Sequence, residues 1–304
     1  MMYKFQTFTT SYYFPKLRKD KRYMYGLYSA YGGKAAKLYW WLFRNSSVIR
    51  RINAVDTGKL TFPYTLIKEV DGGDSLMSFN MGSPGIEQKI SILGYNNQTK
   101  QPFFAKFAQK PAAMELSKNE IHILNMLNGS GFTPALLDYK ITPEFVYLKT
   151  EYIKGKRPRS RRLTKEITEL SIRLSQFNLR NEIHHTDQNL QLSLSHGDFC
   201  PWNFLENNGN IRLIDWETAK ERTLGYDLFT YIFQPALLFN EAEPLKHLEI
   251  DRHFIDLYFS AFGISDYLPY LKSFATLKVQ EEKRKNNSDL WKKYGDLFDV
   301  IGNY

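Results

Sequence analysis

Between residues 71 and 108 the apolar positions fall in short runs broken by turn residues. Residues 76–81 precede the turn Gly82-Ser83-Pro84-Gly85, residues 86–93 precede Asn96-Asn97, and residues 102–108 close the set. Runs of this length bounded by Gly, Pro and Asn predict an antiparallel three-strand meander. The period then lengthens. Over residues 112–127, Leu116, Ile121, Leu124 and Leu127 recur at helical spacing up to a Gly129/Gly131 stop, which predicts a helix. Two further strand-like runs, 135–139 and 145–152, follow. Residues 164–178 carry Ile167, Leu170, Leu174 and Phe177 on one helical stripe, Asn208-Gly209 separates two more strand-like runs, and from Asp227 onward the pattern is mostly helical.

Upstream, residues 25–53 are broken by Gly32-Gly33 before a helix-like run through Lys37, Leu38, Trp41, Leu42 and Ile49. The pattern divides the chain into a partly helical N-terminal extension (1–70), a β-rich lobe (71–153) and an α-rich lobe (154–304). The fold class is α+β. No internal repeat interrupts this order.

At 304 residues, 43% hydrophobic and 24% charged, the chain has an ordinary soluble composition, which argues against disorder and against many membrane spans. Its aromatic content of 15% is high. The balance of 41 Lys and Arg over 32 Asp and Glu gives +9 and favours anionic partners. The densest basic run is Lys154, Lys156, Arg157, Arg159, Arg161, Arg162 and Lys165; runs of this kind are usually solvated faces. The mixture of aromatic and basic residues at Tyr39, Trp40, Trp41, Arg44, Arg50 and Arg51 also suits weak association with an anionic membrane surface, although packing on the main domain is the plainer reading. Nucleic acid is not an expected partner, because only charge points to it. A single cysteine, Cys200, excludes an internal disulfide framework, and the start lacks a signal pattern, so a cytoplasmic protein is expected.

The chemistry concentrates in Ser195-His196-Gly197-Asp198-Phe199-Cys200-Pro201-Trp202-Asn203, followed by Ile214-Asp215-Trp216-Glu217. If Asn208 and Gly209 are the central residues of a type I′ hairpin turn, Asn207 faces Asn210, Asn203 faces Ile214, and Asp215 lies one step further. An amide oxygen and a carboxylate then share one open end of the hairpin, a pair of oxygen ligands that suits magnesium. Asp198, on the loop leading in, is placed beside them to receive a proton.

The pattern His-Gly-Asp-x-x-x-x-Asn followed by Ile-Asp-Trp-Glu resembles the motifs of the aminoglycoside phosphotransferase and choline kinase-like family. That resemblance implies a bilobal protein-kinase-like fold and ATP-dependent phosphorylation of a small-molecule hydroxyl. It implies Asp198 as catalytic base, Asn203 and Asp215 as magnesium ligands, and His196 as a brace for the loop. Asp227 resembles the later family aspartate that stabilises the lobe, and Glu217 is expected to brace the site rather than bind metal. In the first lobe, Lys106 is the expected phosphate-gripping lysine, with Glu120 its helix partner and Glu115 a competitor. Glu151 and Ile153 fit the segment on which adenine would bond to backbone groups, and Gly82–Gly85 fits a phosphate-covering loop by position alone. No Gly-x-x-x-x-Gly-Lys-Ser/Thr loop is present. The segment 216–226 is too short for a protein-kinase activation segment.

The positive charge makes a polycationic aminoglycoside a poor acceptor. Aromatic residues such as Tyr226, Phe229 and Tyr258 could cage choline but belong more simply to a core. A sugar or cell-envelope saccharide fits better. The competing class is a non-catalytic kinase-like module that binds nucleotide or a partner. Trp202 is expected to pack under the hairpin, and Cys200 to fill space.

Overall fold

The computed structural model describes residues 1–28, 33–158, 161–177, 186, 189–285 and 288–302. Gly32, Arg159 and Asn178, which entered the expectations above, lie outside them. The chain divides into two compact units: residues 1–129 with 134–152, and residues 130–133 with 153–304.

Among its described residues the first unit contains an eight-stranded antiparallel sheet, four α-helices and two 3-10 helices. In chain order its elements are β1 (Met2–Gln6), β2 (Ser11–Phe14), α1 (Lys34–Asn45), α2 (Ser47–Ile52), β3 (Ala54–Val55), α3 (Tyr64–Val70), β4 (Ser75–Asn80), β5 (Ile90–Asn96), β6 (Pro102–Ala108), α4 (Pro111–Met126), β7 (Leu136–Ile141) and β8 (Val146–Glu151). The strands lie in the order β3-β1-β2-β4-β5-β6-β8-β7. The expected meander is β4-β5-β6. Its second strand begins at Ile90 rather than residue 86, because residues 86–89 continue the turn instead of pairing.

Residues 1–70 do more than extend the chain. β2 pairs with β4 through Tyr12↔Asn80 and Tyr13↔Phe79, so three strands of this region widen the sheet. The cause lies in alternation along β1 and β2. Phe5, Tyr12 and Phe14 pack with Trp40 and Phe43 of α1, whereas Met2 and Tyr13 join Phe79, Ile92, Phe103 and Phe107 in a second cluster. Each strand of the hairpin therefore buries apolar side chains in both clusters.

The same alternation sets Lys106. Its neighbours Ala105 and Phe107 bury in the Phe79 cluster, so a pleated strand turns Lys106 to the opposite side, where α4 carries Glu120. Pro111 opens α4 at a position where its missing N–H costs nothing.

The second unit is mostly helical: α5 (Lys165–Gln176), α6 (Tyr226–Leu238), α7 (Lys246–Ile250), α8 (Arg252–Ser260), α9 (Leu268–Arg284) and α10 (Ser288–Gly302). Two small antiparallel pairs accompany them, β9 (Leu192–Ser195) with β12 (Lys220–Thr223) and β10 (Phe204–Asn207) with β11 (Asn210–Leu213). Thr164 caps α5 by accepting from the Ile167 N–H, a contact worth about 1 kcal/mol in this position. α6 is apolar almost all round and buries Tyr226 through Phe233, as expected of a core helix packed on several sides.

Candidate active site

β9 delivers the chain to Ser195, and the six residues from His196 to Pro201 form a loop held from both sides. Gly197 has φ +85°, and a Cβ there would lie 2.7 Å from the Thr218 carbonyl oxygen and 2.8 Å from the Arg222 guanidinium. Only glycine fits such a turn. Beneath it, the Asp227 carboxylate accepts from the Ser195 hydroxyl at 2.7 Å, the His196 N–H at 2.6 Å and the Gly197 N–H at 3.0 Å. His196 is fully buried: Nδ1 accepts from the Asp198 N–H at 3.3 Å, and Nε2 lies 3.0 Å from the Ile214 carbonyl oxygen. That pair of contacts needs a neutral ring with its proton on Nε2. Trp216 packs edge-on to the ring at 4.6 Å and donates its indole N–H to Leu213.

The hairpin adopts the register derived from its turn. Asn207 faces Asn210 and Phe204 faces Leu213, with φ of +51° at Asn208 and +79° at Gly209. The Ile214 N–H donates to Asn203 O at 3.0 Å, extending the ladder one step and bringing Asp215 up beside Asn203. Asp215 has left-handed backbone, φ +72° and ψ +58°, a conformation that asparagine and aspartate adopt more readily than most residues. Its carboxylate and that of Glu217 lie within 4.8 Å of each other.

Asp198 is the most closely held group of the loop. Its Oδ2 accepts from Asn203 Nδ2 at 2.8 Å and from Trp202 Nε1 at 3.3 Å, while Oδ1 accepts from Gln234 Nε2 at 2.8 Å. Asn203 Nδ2 also donates to the Asp198 carbonyl at 2.8 Å, which fixes the amide with its oxygen turned the other way. Trp202, half-buried, thus serves Asp198 through its indole N–H. Cys200 is buried as expected; burial, with Asp198 beside it, pushes its thiol well above the usual range and keeps it protonated.

In the first unit, Lys106 Nζ meets Glu120 Oε2 at 2.6 Å, both side chains buried. Glu115 instead bonds Lys118 at 2.7 Å on the surface, which decides between the two candidate partners. Glu151 ends β8; its N–H donates to Ala135 O at 2.9 Å and its Oε1 accepts from the Ala135 N–H at 3.1 Å. Ile153 begins the second unit's long segment. The Gly82–Gly85 turn is tied down by Lys110, whose ammonium bonds Gly85 O at 2.7 Å. A cavity of about 720 Å³ in the second unit, lined by Glu166, Glu169, Arg173 and Asn210 among others, includes none of these residues.

Four contributors escaped the sequence reading: Gln234 on α6, Lys278 and Glu281 on α9, and Arg222 on β12. Arg222 is buried, donates to Thr218 O at 3.1 Å and pairs with Glu281 at 3.1 Å. Burial works to raise the Glu281 carboxyl, but Arg222, Tyr226 and Lys220 outweigh it and bring the group down to about 2. Only Gln234 carried a sequence signal, as a polar residue within the apolar α6, and that has many causes.

Residues 157–247 match the sequence model of the phosphotransferase enzyme family, APH. The match spans less than a third of the chain. It takes in the whole stretch from Asp198 to Asp227 and bears out the resemblance carried by the motifs. The chain is also matched to solved structures, three of which follow. An amicoumacin kinase in complex with AMP-PNP and Ca2+ is 10% identical over 61% of this chain and 74% of that one, with a TM-score of 0.43. The type VIII aminoglycoside-3'-phosphotransferase is 16% identical over 58% and 83%, with a TM-score of 0.41. The phosphotransferase APH(3'')-Id from Streptomyces rimosus is 14% identical over 67% and 91%, with a TM-score of 0.46. At these scores the likenesses assign no residue a role. A search of curated proteins found no match. The expected kinase-like α+β class agrees with an antiparallel sheet in the first unit and helices in the second.

Proposed function

We propose that the chain is an ATP- and magnesium-dependent phosphotransferase acting on a hydroxyl of a small molecule, with Asp198 as the base. The observation that carries this reading is the Asp198 carboxylate, held by three N–H donors beside Asn203 and Asp215. In the reaction, an acceptor hydroxyl oxygen bonds to the γ-phosphorus as its proton passes to Asp198, and the bond to the β–γ bridging oxygen breaks to release ADP. Asp198 Oδ2 already receives two N–H donors and Oδ1 one, so Oδ1 offers the lone pair for that proton.

The donor set fits a hard cation. The Asn203 amide is oriented with its oxygen free of the Asp198 contacts, and Asp215 supplies a carboxylate; both are oxygen ligands of the kind magnesium takes. When bound, the ion neutralises charge on the β and γ oxygens. Glu217 braces this set. Lys106, kept in place by Glu120, grips nucleotide phosphate, and the backbone of Glu151 and Ile153 receives adenine. His196 and Asp227 hold the loop.

A neutral or anionic acceptor, such as a sugar or cell-envelope saccharide, suits a chain at +9 better than an aminoglycoside or choline does. Of the residues expected at an anionic membrane surface, Trp40 is buried and Arg50 is bonded to backbone carbonyls, whereas Tyr39, Trp41 and Arg51 are exposed and, with Lys34, Lys37 and Leu38 on α1 and Val48 and Ile52 on α2, suit an anionic lipid surface. Co-sedimentation with phosphatidylglycerol vesicles but not phosphatidylcholine vesicles is expected, and equal behaviour with both would remove this part. Among the described residues no helix is long and apolar enough to cross a membrane.

The test of the reaction is ADP release from MgATP across sugars, amino alcohols and aminoglycosides. Turnover with a sugar is expected. ATP binding with no turnover on any acceptor, water included, would instead support the non-catalytic module.

A further inference from the structure

Behind Asp198 lies a polar path, half-buried at Gln234 and fully buried at Lys278, that the proposed reaction does not use. Gln234 sits on α6, and its Nε2 donates to Asp198 Oδ1 at 2.8 Å. Its Oε1 accepts from Lys278 Nζ of α9, also at 2.8 Å. Lys278 is 2% exposed, and its ammonium faces the rings of Tyr226, Phe274 and Tyr294 at 4.9, 6.0 and 5.8 Å. Glu281, one turn along α9, is occupied with Arg222, Lys220 and Tyr226, and Glu282 with Lys285.

Burying an ammonium against a neutral amide and three rings is a costly way to fill a core, since a methionine of similar length would do so without desolvating a charge. What methionine cannot do is fix an amide. A glutamine side chain can present either its NH2 or its oxygen to a neighbour, and a carboxylate accepts only the NH2. With three N–H donors and no acceptor, Lys278 compels the oxygen of Gln234 to face α9, which leaves the NH2 to face Asp198. The lysine also brings positive charge to one remove from the carboxylate, and Lys278 is itself held below its ordinary range by burial.

We propose that Gln234 and Lys278 are positioning residues for the base: Lys278 locks the Gln234 amide, and the amide holds Asp198 Oδ1 with one lone pair aimed at the acceptor hydroxyl. This rests on the phosphotransferase reading above. It names Oδ1, rather than Oδ2, as the proton-accepting atom, and it assigns a function to the far side of the helical unit.

The decisive variant is Gln234→Glu. It is isosteric, keeps the bond to Lys278 and turns it into an ion pair, so a merely structural role would be preserved. It also replaces the donor on Asp198 Oδ1 with a second carboxylate oxygen. Measured as ADP release from MgATP with a panel sugar that wild type accepts, or with water, kcat is expected to fall on the order of 10²-fold, as for other misplaced reacting groups. KM for ATP should stay unchanged, while the melting temperature falls through the repulsion of two adjacent carboxylates, so kcat is read on the folded variant. Lys278→Met is expected to lower kcat about 10-fold, since the amide is then free to turn in part of the population. A crystal structure of Lys278→Met gives a readout without turnover: Gln234 in another rotamer or Asp198 rotated is expected, and both unmoved would overturn the lock. Full kcat in folded Gln234→Glu, while Asp198→Asn abolishes transfer, would sink this inference and leave the phosphotransferase reading intact. Full transfer in Asp198→Asn would sink both.

Discussion

Each unit of this protein buries one lysine, and the two are compensated in opposite ways. Lys106 in the first unit meets a carboxylate, Glu120, at 2.6 Å, with side-chain exposures of 8% and 5%. Lys278 in the second meets the neutral amide of Gln234 at 2.8 Å, within a ring of Tyr226, Phe274 and Tyr294. A buried ion pair loses heavily when one partner is removed, because the other charge stays behind in a poorly solvating site. A buried charge against neutral partners leaves no such residue when it goes. The two lysines therefore differ in what their burial is for. The first is half of a buried ion pair; the second is tolerated for what its hydrogen bond does to the next group along.

Stability measurements can break this contrast. Lys106→Met takes the buried cation away from the Glu120 carboxylate and is expected to cost about 3–5 kcal/mol in urea unfolding, whereas a loss below about 1 kcal/mol would mean that the remaining surroundings of Glu120 compensate its charge. Glu281 stands between the extremes. Arg222, Tyr226 and Lys220 outweigh burial and bring its carboxyl from the usual 4.5 down to about 2, so its contribution, on the order of 3 kcal/mol, is present above pH 4.5 and lost as the pH falls toward 2. Glu281→Gln should therefore lower stability at neutral pH and flatten the acid limb of the stability curve over that window. An unchanged acid limb would show that Arg222 and Lys220 do not hold the ionised form. Smallest of the three, Lys278→Met should change unfolding free energy by less than about 1 kcal/mol in either direction, the desolvation relieved offsetting the bond lost at Gln234. A loss as large as that of Lys106→Met would erase the distinction.

The same contrast explains what could be read from the chain. Lys106 and Glu120 are 14 residues apart on a strand and the helix that follows, so alternation on β6 and the helical period of α4 nearly suffice to pair them. The Asn203–Asp215 juxtaposition was legible for a similar reason: a two-residue turn at Asn208-Gly209 fixes the hairpin register, and the register fixes the ends. Gln234 and Lys278 are 44 residues apart, on helices whose rotation about their axes depends on packing that no local pattern encodes. Gln234 reads as a polar interruption in α6, and Lys278 as one of several lysines on α9. The strands of residues 1–70 were missed for yet another cause: β1 and β2 bury apolar residues on both faces, which hides the two-residue period.

The central claim is that Asp198 takes the proton of the acceptor hydroxyl. Asp198→Asn tests it most directly, because the amide keeps the size of the carboxylate and cannot act as a base at neutral pH. Single-turnover transfer from MgATP to an accepted sugar should fall about 10²-fold or more, with nucleotide affinity unchanged. Transfer at the wild-type rate in a folded Asp198→Asn protein would contradict the account.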